Sequence, residues 1–126
     1  MHRILLSVKP EFANRILDGT KKFEYRTRLA GRQVGAIVLY ATKPLIQVVG
    51  EAEVLERLSG SPIALWEATG EDSGTNRAEF MEYFGGCRTA HAYRLGRVSR
   101  YDKPKSLAEL GVRQPPRSFV YLQDGV

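Results

Sequence analysis

Apolar and polar positions along the chain divide it into short elements of two periods. The apolar run Arg3–Val8 stops at Lys9-Pro10. Proline disfavours helical backbone in the residue before it, so the run predicts a short buried strand. From Pro10 the pattern changes, and Phe12, Ile16 and Leu17 recur at helical spacing until Gly19. A helix over about 11–18 follows, with proline in its first turn and glycine past its end. Lys21–Arg28 then alternates, with Phe23, Tyr25 and Thr27 on one face and Lys22, Glu24, Arg26 and Arg28 on the other, as in a second strand. Lys21 has the parity of Phe23 and reaches the charged face only if that strand begins after it.

Residues 36–42 form a β-branched and aromatic run closed by Pro44, and residues 45–58 form another long strand-like stretch in which Gly50 marks a bulge or a close approach. Ser61-Pro62 is a helix start with Ser61 as its cap, ended by Gly70. A second helix carries Phe80, Tyr83 and Phe84 on one side and ends at Gly85-Gly86. With Trp66, these aromatics are candidate stacking platforms for a base, but at helical spacing they read first as a core stripe. Residues 90–101 alternate as a long strand, Ser106–Val112 suggests a helical turn, and Arg117–Gln123 reads as a closing strand. The strands dominate and the helices do not alternate regularly with them, which argues against a doubly wound sheet. The expectation is an α+β chain of one domain, 1–126: a small, partly open β-barrel with helices packed around it.

Composition narrows the function classes. No apolar run approaches the roughly 20 residues of a membrane-spanning helix, and the N-terminal apolar stretch is too short for a secretory signal, so a cytoplasmic protein is expected. One cysteine, Cys87, and two histidines, His2 and His91, offer no metal-ligand spacing, and the cysteine and His91 read as structural. The formal net charge of +5 is unevenly spread. Residues 1–50 hold nine Lys and Arg against three Asp and Glu, residues 51–86 two against eight, and residues 87–126 eight against three. Basic ends favour a nucleic-acid partner through counterion release, while the acidic middle leaves docking of a protein partner open.

The charged face of the second strand is the best candidate for chemistry. Alternate positions lie about 7 Å apart at strand rise, so Lys22, Glu24, Arg26 and Arg28 form a ridge that grips phosphate and pairs with base edges. The alternative is a solvated edge strand guarded by charge. Tyr40 and Thr42, late in the third strand, are candidates for a pocket wall, with Ser7 and Lys9 as neighbours. No Gly-rich phosphate loop, G-x-S-x-G elbow or H-E-x-x-H motif is present, so a hydrolase would rely on a desolvated lysine.

Gly19-Thr20-Lys21-Lys22-Phe23-Glu24-Tyr25-Arg26 resembles the G-x-K-x-x-E-x-R signature of ASCH domains, relatives of PUA, EVE and YTH domains. The lead-in Leu5–Gly19, the central Leu65–Gly86 and the closing Pro115–Leu122 are similar to single-domain ASCH proteins. The resemblance implies a PUA-like fold with a basic cleft lined by Gly19, Lys21, Glu24 and Arg26, and RNA or a modified nucleotide as ligand. Around that set, Lys9, Lys22, Arg28, Tyr40 and Arg117 complete the expected nucleic-acid-binding residues. Ribonucleases and amidohydrolases of modified cytidine occur in the same family, so the alternative is a hydrolase using Lys21 and Glu24. No cofactor is implied, beyond a divalent metal in the ribonuclease case. The amidohydrolase branch has a threonine nucleophile where this chain has Glu24, a departure that weakens the deacylase reading.

Overall fold

Six strands form one mixed sheet: β1 (His2–Val8), β2 (Phe23–Arg26), β3 (Val34–Ala41), β4 (Gln47–Gly60), β5 (Ala90–Lys105) and β6 (Phe119–Leu122), in the order β2-β5-β4-β3-β1-β6. The computed structural model describes residues 1–123. Only β1 and β3 are parallel, and the other neighbouring pairs run antiparallel. Three helices accompany the sheet: α1 (Pro10–Leu17), α2 (Pro62–Thr69) and α3 (Arg77–Tyr83). No helix among the described residues is long and apolar enough to cross a membrane.

The α+β class is as expected, whereas the sheet does not close into a barrel. β2 and β6 stand at the two ends of the order. β2 is only four residues long, shorter than the eight-residue alternation, and its free edge has no strand partner among the described residues. The long strands bend instead. Register shifts interrupt the β4–β5 ladder at Val48/Gly50, Ala52/Val54 and Val54/Glu56, and such bulges sharpen local twist. Gly50 serves the close approach foreseen for it, since a Cβ there would lie 2.5 Å from the Ser99 carbonyl oxygen.

Three apolar clusters hold the elements. α1 begins with Pro10 and ends with Arg15 in its last turn, both suited to their ends. Its buried Ala13, Ile16 and Leu17 pack on Ile4, Leu6, Ile37 and Leu39 of the sheet. On the far side of β2, Phe23 and Tyr25 meet Leu65 of α2, Phe80 of α3 and Phe84 at the end of α3. Ser61 caps α2 by accepting from the Ala64 N–H, and Asn76 caps α3 by accepting from Glu79 N–H. The third cluster, on the opposite face of β1 and β3, contains Leu5, Val38 and Tyr40. β1 is therefore buried on both faces, which explains its continuous apolar run. Tyr40, expected at a pocket wall, is a core residue here.

Candidate functional site

The glycine that ends α1 sets up the site. Gly19 adopts φ +90°, a left-handed conformation that a side chain would disfavour. The reversal lets the Lys21 N–H bond the Arg15 carbonyl at 2.9 Å, so Lys21 lies against α1 before β2 begins. Strand parity therefore does not apply to it. Its side chain is 5% exposed, and Nζ donates to the Ser73 carbonyl at 2.9 Å while lying 4.7 Å from the Tyr25 ring centroid and 5.3 Å from that of Phe12. Burial lowers the Lys21 pKa, the Glu24 charge opposes that, and Arg15 and Arg26 add to the lowering. Gly74 makes room for it: φ is +68°, and a Cβ there would sit 2.5 Å from Lys21 Cβ.

Three residues after Lys21, on β2, Glu24 is 6% exposed. Its Oε2 accepts from Arg26 Nε at 2.9 Å, and Arg26 Nη2 completes the ion pair at the same distance. The same Nη2 donates to the Ser7 carbonyl at 3.0 Å, so the guanidinium spans the gap between the free edge of β2 and the end of β1. Tyr25 points the other way. The Thr69 hydroxyl gives its single hydrogen to the Leu65 carbonyl (2.7 Å), so the Tyr25 hydroxyl is the donor to Thr69 Oγ1 (2.7 Å).

These residues border a cavity of about 620 Å³ between α1, β2, α3 and the end of β1. Its wall holds four cations (Lys9, Arg15, Lys21, Arg26) and four carboxylates (Glu11, Glu24, Glu79, Glu82), with Phe12, Tyr25, Phe80 and Tyr83. The basic cleft expected from the sequence is thus a mixed one. The acidic middle segment folds through α3 onto the basic N-terminal third, and side chains there offer both donors and acceptors. No group of three His, Cys, Asp or Glu side chains suited to hold a metal occurs among the described residues, so no catalytic step is assigned to the divalent ion entertained for a ribonuclease.

Of the expected binding residues, Lys9, Lys21, Glu24 and Arg26 meet at this cavity. Gly19 shapes the turn without lining it. Lys22 and Arg28 are exposed and flank β2; Lys22 is turned out as its N–H bonds the Asp72 carbonyl at 2.8 Å, and Arg28 follows the strand's end. Arg117 is exposed and off the wall, on a segment bonded to Ser7. Sequence reasoning missed Arg15, which donates to the Gly74 carbonyl at 2.8 Å. Phe12 is marked there only by its helical spacing, and Tyr83, weighed as a stacking platform, reads first as core. Tyr83 is 49% exposed and both rings face the cavity. The arginine's place in the last turn of α1, on the side away from Ala13 and Leu17, was the available signal. His91 lies off the cavity wall, its Nδ1 2.6 Å from Ser59 Oγ.

Comparison with known proteins places this architecture. A protein named ASCH domain-containing ribonuclease, from Zymomonas mobilis, is 32% identical over 124 residues, covering 94% of this chain and 83% of that protein. A crystal structure of ASCH from Zymomonas mobilis is similar at a TM-score of 0.89 and 29% identity, covering 97% of this chain and 88% of that one. ATP synthase subunit alpha of Ureaplasma parvum is 30% identical over 121 residues, which are 95% of this chain but 15% of that protein, so the likeness concerns a small part of it. The ASCH domain model matches residues 6–105. That span contains every residue lining the cavity, and the chain belongs to the ASCH domain family.

Proposed function

We propose that the cavity binds a nucleotide of RNA, its base read by the Glu24–Arg26 pair. The observation that carries this reading is the pair itself: a carboxylate and a guanidinium 2.9 Å apart, both nearly buried, on the wall of a cavity that also exposes Phe12 and Tyr83. Adjacent acceptor and donor groups match a base edge that presents an amino group beside a ring nitrogen or carbonyl. Aromatic rings supply the stacking by which single-stranded bases are held. Lys21, with one N–H on Ser73, keeps two for a phosphate or base oxygen.

A second reading, hydrolysis of the bound RNA or of an acylated base, is favoured by the desolvated Lys21 beside Glu24 and by the relative named a ribonuclease. Lys21 would stabilise negative charge developing on the attacked group, and Glu24 would move the proton.

One experiment addresses both. Wild type and a Lys21→Ala/Glu24→Ala variant are incubated with single-stranded RNA and a panel of modified nucleosides, with and without manganese, and followed for binding and for product mass. Salt-sensitive binding lost in the variant supports the nucleotide site, and product lost with it adds catalysis. Equal binding by both proteins removes the site assignment.

A further inference from the structure

Hydrogen bonds already made within the cavity wall leave few atoms free, and those few define what fits. Arg26 spends Nε on Glu24 Oε2 and Nη2 on the Ser7 carbonyl. In a planar guanidinium the remaining Nη1 lies on the edge turned away from Nε–H, so the Arg26 donors nearest the carboxylate are all engaged. Glu24 keeps more. Its side chain is 7% exposed, and Oε1 takes part in no hydrogen bond among the described residues. No fully buried side-chain oxygen or nitrogen there is left without a partner. The small exposed part of Glu24 therefore includes Oε1, and it opens on the cavity that Glu24 lines.

Oε2 accepts one hydrogen bond of the two it can take. The carboxylate thus offers two neighbouring acceptors and no donor. Lys21 supplies the donor on the same wall, with two N–H left on Nζ after its bond to the Ser73 carbonyl. The four bases meet this pattern differently at their Watson–Crick edges. Adenine and cytosine place an accepting ring nitrogen beside the amino group, which would set a lone pair against the second carboxylate oxygen. Uracil has a carbonyl on each side of its one N–H, with the same result. Acceptor against acceptor leaves both groups desolvated and unpaired. Guanine alone presents two adjacent donors, N1–H and the N2 amino group, followed by the O6 acceptor.

We infer that the base held in the cavity is guanine, with its N1–H and N2 amino group on the two Glu24 oxygens and its O6 on Lys21 Nζ. Glu24 is then the specificity-determining residue, and Arg26 is the positioning residue that fixes its orientation. A purine also gives Tyr83, 49% exposed, the larger surface to stack on. Phe12 is already engaged by Arg15 and Lys21, which lie 5.4 and 5.3 Å from its ring centroid. The inference rests on the nucleotide reading above and adds the identity of the base to it.

The probe is single-stranded oligouridine carrying one central guanosine, inosine, 2-aminopurine ribonucleoside, adenosine or cytidine. Binding to the full chain is read by fluorescence anisotropy. The guanosine strand is expected to bind at least about tenfold tighter than the adenosine and cytidine strands, the discrimination of one bidentate base contact. Inosine keeps N1–H and O6 but lacks the amino group, and falls between them. 2-Aminopurine keeps the amino group but has an accepting N1, and falls with adenosine. Glu24→Gln sets a donor beside an acceptor and abolishes the guanosine preference. Equal affinity for the guanosine, adenosine and cytidine strands overturns the guanine inference and leaves the nucleotide site standing, provided Lys21→Met still weakens binding. A guanosine preference that survives in folded Glu24→Gln moves the selection off Glu24 and likewise overturns the inference. Absence of binding to every strand overturns both readings.

Discussion

Two ion pairs in this protein join the same residue types in contrasting surroundings. Glu24 and Arg26 lie on one short edge strand, 2.9 Å apart, with side chains 7% and 13% exposed. Glu56 and Arg94 face each other across β4 and β5 at 3.4 Å, with side chains about half exposed, at 49% and 51%. The exposed pair is screened by water and contributes about 0–1 kcal/mol. The buried pair has lost its hydration, and an apolar pair of similar volume would serve folding as well or better. On the proposed reading, its presence at the cavity wall is a place where the fold gives up stability to hold a charged recognition group. Lys21, also buried and charged, belongs to the same region.

The sharpest test of that contrast removes one partner from each pair. Arg26→Ala leaves Glu24 buried without its cation, and a loss of about 3–5 kcal/mol in urea unfolding is expected. Arg94→Ala in the same assay changes stability by about 1 kcal/mol or less; equal effects would erase the distinction. Gly74→Ala comes next. The left-handed backbone and the 2.5 Å approach to Lys21 predict a loss of about 1–3 kcal/mol, accompanied by weaker RNA binding as Lys21 is displaced. Wild-type stability and affinity in that variant would show that the loop yields freely.

Lys21→Met has a smaller effect on folding. Removing the buried charge offsets the loss of the hydrogen bond to Ser73, so stability stays within about 1 kcal/mol of wild type. This variant also yields a pH test. Burial holds the Lys21 pKa below its ordinary 10.5, so between the two values the unfolded chain binds more protons than the folded one and wild-type stability rises with pH. The stability of Lys21→Met relative to wild type accordingly declines as pH climbs towards 10.5. A difference that grows over that window contradicts a lysine held charged against desolvation.

Much of this arrangement was legible from the residues, and the failures have physical causes. Alternation put Glu24 and Arg26 on one face of β2, where they are, because that period survives wherever a strand persists. It misplaced Lys22 and Arg28 because β2 is held for only four residues, and parity means nothing outside the ladder. Lys21 was uncertain for the same reason; a left-handed glycine and a hydrogen bond to the helix place it. Phe12 and Tyr83 fit a core stripe by spacing, yet each sits at the margin of its helix's buried face, where a cavity and a core require the same side chain. Closure of the sheet was beyond the pattern, because whether two edge strands meet depends on bends accumulated along β4 and β5. The adjacency of the acidic α3 to the basic N-terminal segment around β2 is a long-range contact, and local charge counts registered its two halves as separate blocks.

The central claim, that the buried charges at β2 form a nucleotide site, is tested most directly by titrating single-stranded RNA into wild type and Lys21→Met at low salt by calorimetry. Matched unfolding midpoints serve as the control for the fold. The account predicts that Lys21→Met folds like wild type and binds at least about tenfold more weakly, the size of one lost charge-assisted contact. Undiminished affinity in the folded variant would contradict it.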